Sequence, residues 1–232
     1  MSSRSKTLRP WLYLAALFGS QLVALVIIAI FWAFFPQFRY LVGTPLGTFC
    51  VTVFGGLAAF LVVVLLSTSR LDVFSLFELR SLREGLGYFA PCAGLVLGLA
   101  GVFLTRIRME SFADNYPLMR PFVHLSGPQR YLLVIVLLVG PIFEEIIMRG
   151  FLYRAFRKNY GITLSVSIIV LTAMLTHPGA MASSPWLFLF LGAFQAILSL
   201  ILEKTGNLWN CITCHCVYNA TVASAWLLGS SS

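Results

Sequence analysis

Three short stretches hold the residue types that could do chemistry. "GPIFEEIIMRGFLYRAF", from Gly140, carries Glu144, Glu145 and Arg149. "VLTAMLTHPG" carries His177, and "CITCHCVYNA", residues 211–220, carries Cys211, Cys214, His215, Cys216 and Asn219. Glu145 and Arg149 are four residues apart and share a helical face, so they can pair. Glu144 is about 100° round the helix from its neighbour and poorly placed for Arg149. One carboxylate is then neutralised and the next left without a cation, as a general base for water requires. The blander reading is an ion pair that locks helices together.

The 211–220 stretch supports several readings. Cys-x-x-Cys-His is the attachment pattern of a c-type haem, and Cys211, Cys214 and His215 could also hold a structural zinc. On a helix Cys211, His215 and Asn219 share one face while Cys216 points elsewhere. His215 and Asn219, one turn apart, then present two hydrogen-bond donors in one direction, which suits an oxyanion hole. A histidine merely bonded between helices is the alternative. His177 precedes a turn and reads equally as an interfacial residue, and His124 in "PFVHLSGPQR" as a surface group.

The elements that must position these residues follow from composition. Of 232 residues 59% are hydrophobic and only 10% charged, where soluble domains run nearer a quarter charged. Trp11–Phe35, Leu41–Ser69, Gly85–Thr105, Asn159–Leu202 and Thr205–Ser232 carry no charge at all. Crossing a bilayer takes about 20 apolar residues. The expected fold is all-α, a polytopic transmembrane bundle of about seven helices, at 11–35, 47–68, 86–105, 131–153, 161–177, 186–202 and 207–228. "HPGAMASSP" (177–185) breaks the longest run. Gly140-Pro141 removes a helical hydrogen bond to Leu137 and should kink the fourth helix. Residues 70–84 suit an interfacial helix, and Gly94-x-x-x-Gly98 suits close helix packing.

Lys and Arg in the segments at 1–10, 70–84, 154–158 and 204 outnumber those at 39 and 106–130 by ten to five, which favours a cytoplasmic N-terminus. The net charge of +8 sits between apolar runs and suits lipid head groups, not nucleic acid. The N-terminal run is too long for a cleavable signal and reads as an uncleaved first helix. The five cysteines fall in apolar spans and read as small packed side chains. Glu144, about 15 Å along the helix from Arg154, lies near the bilayer centre. A charge there costs at least about 2.5–3.5 kcal/mol, which suggests chemistry. Residues 1–130 form N-terminal helices and loops, and 131–228 the core that bears the chemistry.

Glu144-Glu145-x-x-x-Arg149, a downstream histidine and His215-x-x-x-Asn219 stand in the order found in the CAAX-protease and bacteriocin-processing family. These CPBP or Abi intramembrane proteases include the Rce1-type prenyl endopeptidases. "GPIFEEIIMRGFLYRAF" resembles the family's first motif, including Gly150 and the basic stretch after it. "GNLWNCITCHCVYNAT" resembles its last, down to the Asn-Leu-Trp lead-in. The resemblance covers about residues 131–228. The middle motif departs: Ala173 stands where the family usually has Phe, four residues before His177. By counting from Lys158, His177 also falls nearer the far membrane face than Glu144.

The resemblance implies a glutamate-dependent endopeptidase acting within the membrane, with no nucleophilic serine or cysteine. Glu144 would deprotonate a water that His177 helps to position. His215 and Asn219 would stabilise the oxyanion, and Glu145 with Arg149 would hold the helix in register. No cofactor is expected; family members are also described as zinc enzymes, and Glu144, His177 and His215 would then be the ligands. The implied substrate is a membrane-anchored or lipidated protein or peptide cut near its C-terminus; the compact size of the chain favours a bacterial inner membrane. Two rivals stay open: a non-catalytic scaffold or immunity protein, and a proton-coupled transporter. A transporter predicts repeated halves, and no second Glu-bearing span matches the fourth.

Overall fold

The computed structural model describes residues 10–19, 22, 26, 33, 34, 89–106, 127–177 and 185–229, and every regular element among them is helical. A helical stretch, Pro10–Gly19, comes first. It is followed by α1 (Phe89–Arg106), α2 (Gly127–Glu145), a π-helix (Ile146–Tyr153), α3 (Arg154–Arg157), α4 (Ile162–Thr176), α5 (Pro185–Thr205) and α6 (Leu208–Gly229). Five of the expected spans coincide with these elements to within a few residues. The span at 47–68, the interfacial helix at 70–84 and His124 lie outside the described residues, as does most of 11–35. Among the described residues, α5 is the one helix both long and apolar enough to cross a membrane; Pro10–Gly19, Phe89–Leu104 and Ile162–Thr176 are apolar but shorter. Among the described residues the all-helical class stands, while the expectation of seven membrane spans falls in part outside them.

The fourth span differs from expectation in an instructive way. Pro141 sits inside α2, which continues as α-helix to Glu145. The change of register comes later, at Ile146, where hydrogen bonding widens to the i→i+5 pattern of the π-helix. Such segments concentrate at functional sites. α-Helical geometry resumes at Arg154.

Local chemistry sets the other helix ends. Pro185 opens α5, where a missing N–H costs nothing. Gly206 adopts φ +65° and its N–H caps the Leu202 carbonyl at 2.7 Å, a left-handed helix end that glycine adopts without strain. Asn207 Oδ1 then accepts the Trp209 N–H at 2.9 Å, capping the start of α6. Two residues thus turn the chain back, and α6 returns alongside α5.

α6 lies along α1 and α2, and α4 lies along α5. The α1 glycines make that approach possible. A Cβ at Gly94 would overlap the Cys214 carbonyl oxygen, and one at Gly98 would lie 2.6 Å from Thr221 Cβ. Small residues spaced in this way let backbones meet in membrane helices, and here Gly94 lies against the residue just before His215. Phe156, Ile169, Ala173, Phe194, Leu198, Cys211 and Cys214 pack in the main core. Leu164, Leu171 and Leu175 of α4 face outward and are about half exposed or more, an outer face suited to hydrocarbon.

The end of the bundle near α3 is tied by polar contacts. Arg157 Nη2 meets Glu203 Oε1 at 2.8 Å, and the Tyr153 hydroxyl donates to Glu203 Oε2 at 2.7 Å. Trp11 Nε1 donates to the Tyr160 hydroxyl at 2.9 Å and meets Phe156 edge-on, centroids 4.9 Å apart. These contacts attach the first helix and α5 to the end of the π-helical span.

Candidate active site

Arg149, on the π-helix, is completely buried, and a guanidinium at that depth must be met by acceptors. Its Nη1 donates to Glu145 Oε1 at 3.1 Å. Its Nη2 donates to the Gln195 backbone carbonyl at 2.8 Å and also to Gln195 Oε1. The expected Glu145–Arg149 pair is present, with neither side chain exposed.

Glu145 has a second partner. His215 Nδ1 lies 2.7 Å from the same Oε1, so the α6 histidine is held by Glu145. Phe194 meets the His215 ring edge-on at 5.0 Å and stacks on Tyr218 at 4.3 Å. The imidazole is therefore fixed by a carboxylate at Nδ1 and by aromatic packing. Its Nε2 points away from Glu145, because the two ring nitrogens lie on opposite sides of the imidazole.

Glu144 stands apart from this pair. It is partly buried and takes no salt bridge among the described residues; its hydrogen bond there comes from Gln195 Nε2 at 3.3 Å on Oε1. His215, His177 and Arg149 lie within electrostatic reach. One carboxylate of the Glu-Glu pair is neutralised and the other lies within electrostatic reach of both histidines.

His177 caps the C-terminus of α4 with φ −118° and ψ 58°. Its Nδ1 sits 2.7 Å from the Ala173 carbonyl. A carbonyl only accepts, so Nδ1 carries the proton, and in the neutral ring Nε2 keeps a lone pair. Ala173 is fully buried and contributes its backbone oxygen here. α4 has 15 residues, about 22 Å of helix and roughly 7 Å more than Glu144 lies from Arg154, yet His177 is within electrostatic reach of Glu144.

Asn219 answers a vacancy created by Pro141. Without an N–H at Pro141, the Leu137 carbonyl lacks its helical donor, and Asn219 Nδ2 donates to it at 2.8 Å. One amide N–H is spent there; an amide has two. α2 thus stays α-helical through its proline because α6 supplies the missing donor.

Cys211 donates its thiol to the Leu198 carbonyl at 3.2 Å, and Cys216 to the Leu138 carbonyl at 3.4 Å. The described cysteines are free thiols. Among the described residues no three His, Cys, Asp or Glu side chains are grouped so as to hold one metal ion, neither Cys211, Cys214 and His215 nor Glu144, His177 and His215.

Two features were not anticipated. Gln195 joins Arg149 to Glu144, and its signal was available: it is the one glutamine in the Asn159–Leu202 run, ten residues from either end of α5. Counting charges passed over it. The bond between His215 and Glu145 carries no local signal, since 70 residues separate the partners.

Residues 127–221 match the family model described as type II CAAX prenyl endopeptidase Rce1-like. The matched segment runs from the start of α2 into α6 and contains Glu144, Glu145, Arg149, His177, Gln195, His215 and Asn219. No curated protein matches the chain, and no solved structure does.

Proposed function

We propose that this chain, whose residues 127–221 match the Rce1-like model of a family of membrane-embedded CAAX proteases, is an intramembrane endopeptidase using glutamate-activated water. One observation carries the reading. Of two adjacent glutamates, Glu145 is held by Arg149 and His215, while Glu144 is held, among the described residues, by an amide and lies within electrostatic reach of two imidazoles.

The chemistry runs as follows. Water binds at the Glu144 oxygen that Gln195 does not hold, and the lone pair on His177 Nε2 accepts its other hydrogen. Glu144 takes a proton as the water oxygen attacks the peptide carbonyl. The carbonyl electron pair moves onto oxygen. His215, as an imidazolium with Nδ1–H on Glu145, donates to that oxygen through Nε2–H. The second N–H of Asn219 is the other donor. Collapse breaks the C–N bond, and the Glu144 proton leaves with the amine. Glu145 and Arg149 position His215 and the π-helix.

The remaining features of the proposal concern setting. The chain spans a bacterial inner membrane about seven times with its N-terminus cytoplasmic. Its substrate is a lipidated or membrane-anchored protein or peptide cut near the C-terminus. No cofactor takes part. The test compares Glu144→Gln and wild type on an internally quenched peptide ending in a prenylated Cys-aliphatic-aliphatic-X sequence, in liposomes. Loss of cleavage with normal expression and unchanged melting supports the reading. Retained cleavage by the variant refutes it and leaves the scaffold alternative.

A further inference from the structure

Gln195 is a polar side chain only 1% exposed at the midpoint of α5, about 15 Å from either end of that helix. An uncompensated amide at that depth is costly, and such residues face a partner or a polar cavity. Gln195 has both kinds of neighbour. Its Oε1 and its backbone carbonyl accept from Arg149 Nη2, and its Nε2 donates to Glu144 Oε1 at 3.3 Å.

The amide can face only one way. A guanidinium donates and never accepts, so it fixes Oε1 toward Arg149. Nε2 is then turned to Glu144, where a carboxylate accepts. The backbone carbonyl, also bonded by the Ser199 hydroxyl at 3.0 Å, anchors α5 against the same guanidinium. Arg149 therefore sets the amide, and the amide sets one oxygen of Glu144.

We propose that Gln195 is a positioning residue for Glu144: it converts the fixed cation Arg149 into an N–H that holds Oε1 and leaves Oε2 directed at the water. This rests on the endopeptidase reading and goes beyond the Glu-Glu, His and His-x-x-x-Asn motifs that suggested it.

Gln195→Glu separates positioning from support. The substituted carboxylate still accepts from Arg149, which keeps it ionised, but it has no N–H for Glu144. Cleavage of the quenched prenylated peptide by the full chain in liposomes should then show kcat lowered at least about tenfold, short of the full 10²–10⁴-fold that loss of the general base itself would cost. KM should stay at the parental value; kcat is taken per folded protein, because a second carboxylate beside Glu144 also lowers the melting temperature. Gln195→Met, similar in size and without polar atoms, should lower kcat as much and also lower the melting temperature, because the Oε1 contact to Arg149 is lost. A parental kcat in Gln195→Glu overturns the proposal. Should that variant not fold, a parental kcat in Gln195→Met overturns it equally. A loss of activity that only follows loss of folded protein, or a raised KM at parental kcat, reduces Gln195 to structural support and overturns it too. Glu144→Gln is measured in parallel. Inactive Glu144→Gln beside fully active Gln195→Glu removes only this inference, whereas active Glu144→Gln removes the reading beneath it and this inference as well.

Discussion

Replacing Asn219 should damage the protein much less once Pro141 is also replaced. Asn219 Nδ2 donates to the Leu137 carbonyl at 2.8 Å, a near-optimal N–H···O distance. That carbonyl is open because residue 141 has no N–H to give it. Leu137 is half-buried, so water reaches it only in part. Hydrogen bonds between membrane helices average about 0.6 kcal/mol and reach about 1.7, and a stranded carbonyl costs about 1–3. A loss near 1 kcal/mol for Asn219→Leu is therefore expected, about fivefold in the unfolding equilibrium. In a Pro141→Ala background the alanine N–H meets Leu137 within α2, and the same substitution should cost close to nothing beyond its packing change. The coupling between the two positions is then about 1 kcal/mol, read as a double-mutant cycle. Reversible unfolding in mixed micelles of mild detergent and dodecyl sulfate measures all four corners. An equal cost of Asn219→Leu in both backgrounds refutes the idea that Asn219 replaces the proline's missing donor. Cleavage adds a second readout: if the other N–H of Asn219 meets the oxyanion, the double variant stays slow although its stability is recovered.

Further outcomes follow from the same geometry. Glu145→Gln leaves a buried guanidinium without its charge partner and should destabilise by about 3–5 kcal/mol, whereas Glu144→Gln, which breaks no ion pair, should change stability by less than about 1 kcal/mol; thermal unfolding in detergent compares them. Gly94→Val should prevent α6 from seating against α1, seen as aggregation on size-exclusion chromatography. Gly101→Ala should cost far less, since its added carbon first meets the Tyr218 ring at 3.3 Å. Prolonged dialysis against EDTA should leave cleavage of the quenched peptide unchanged; activity lost there and restored by zinc would move the activated water from Glu144 to a metal.

Much of the site could be read without coordinates because its parts are local. The Glu145–Arg149 pair depends only on helical spacing, and Glu144 was left over by the same geometry. The stripe of Gly94 and Gly98 needs no more than its period to mark a close helix contact, although its partner, α6, lies more than a hundred residues away. Helix ends at Gly206, Asn207 and Pro185 follow from the backbone chemistry of those residues.

The sequence alone determined a chain built of apolar helices, with one carboxylate paired and its neighbour unpaired. Tertiary structure decided what those groups meet. His215 went to Glu145, Asn219 to a carbonyl that Pro141 had vacated, and Gln195 came between Arg149 and Glu144. The reason is physical: a helix presents its side chains at a spacing set by its own backbone, but the partner across a helix interface depends on depth, rotation and packing. Those are fixed only when buried donors and acceptors must satisfy one another all at once.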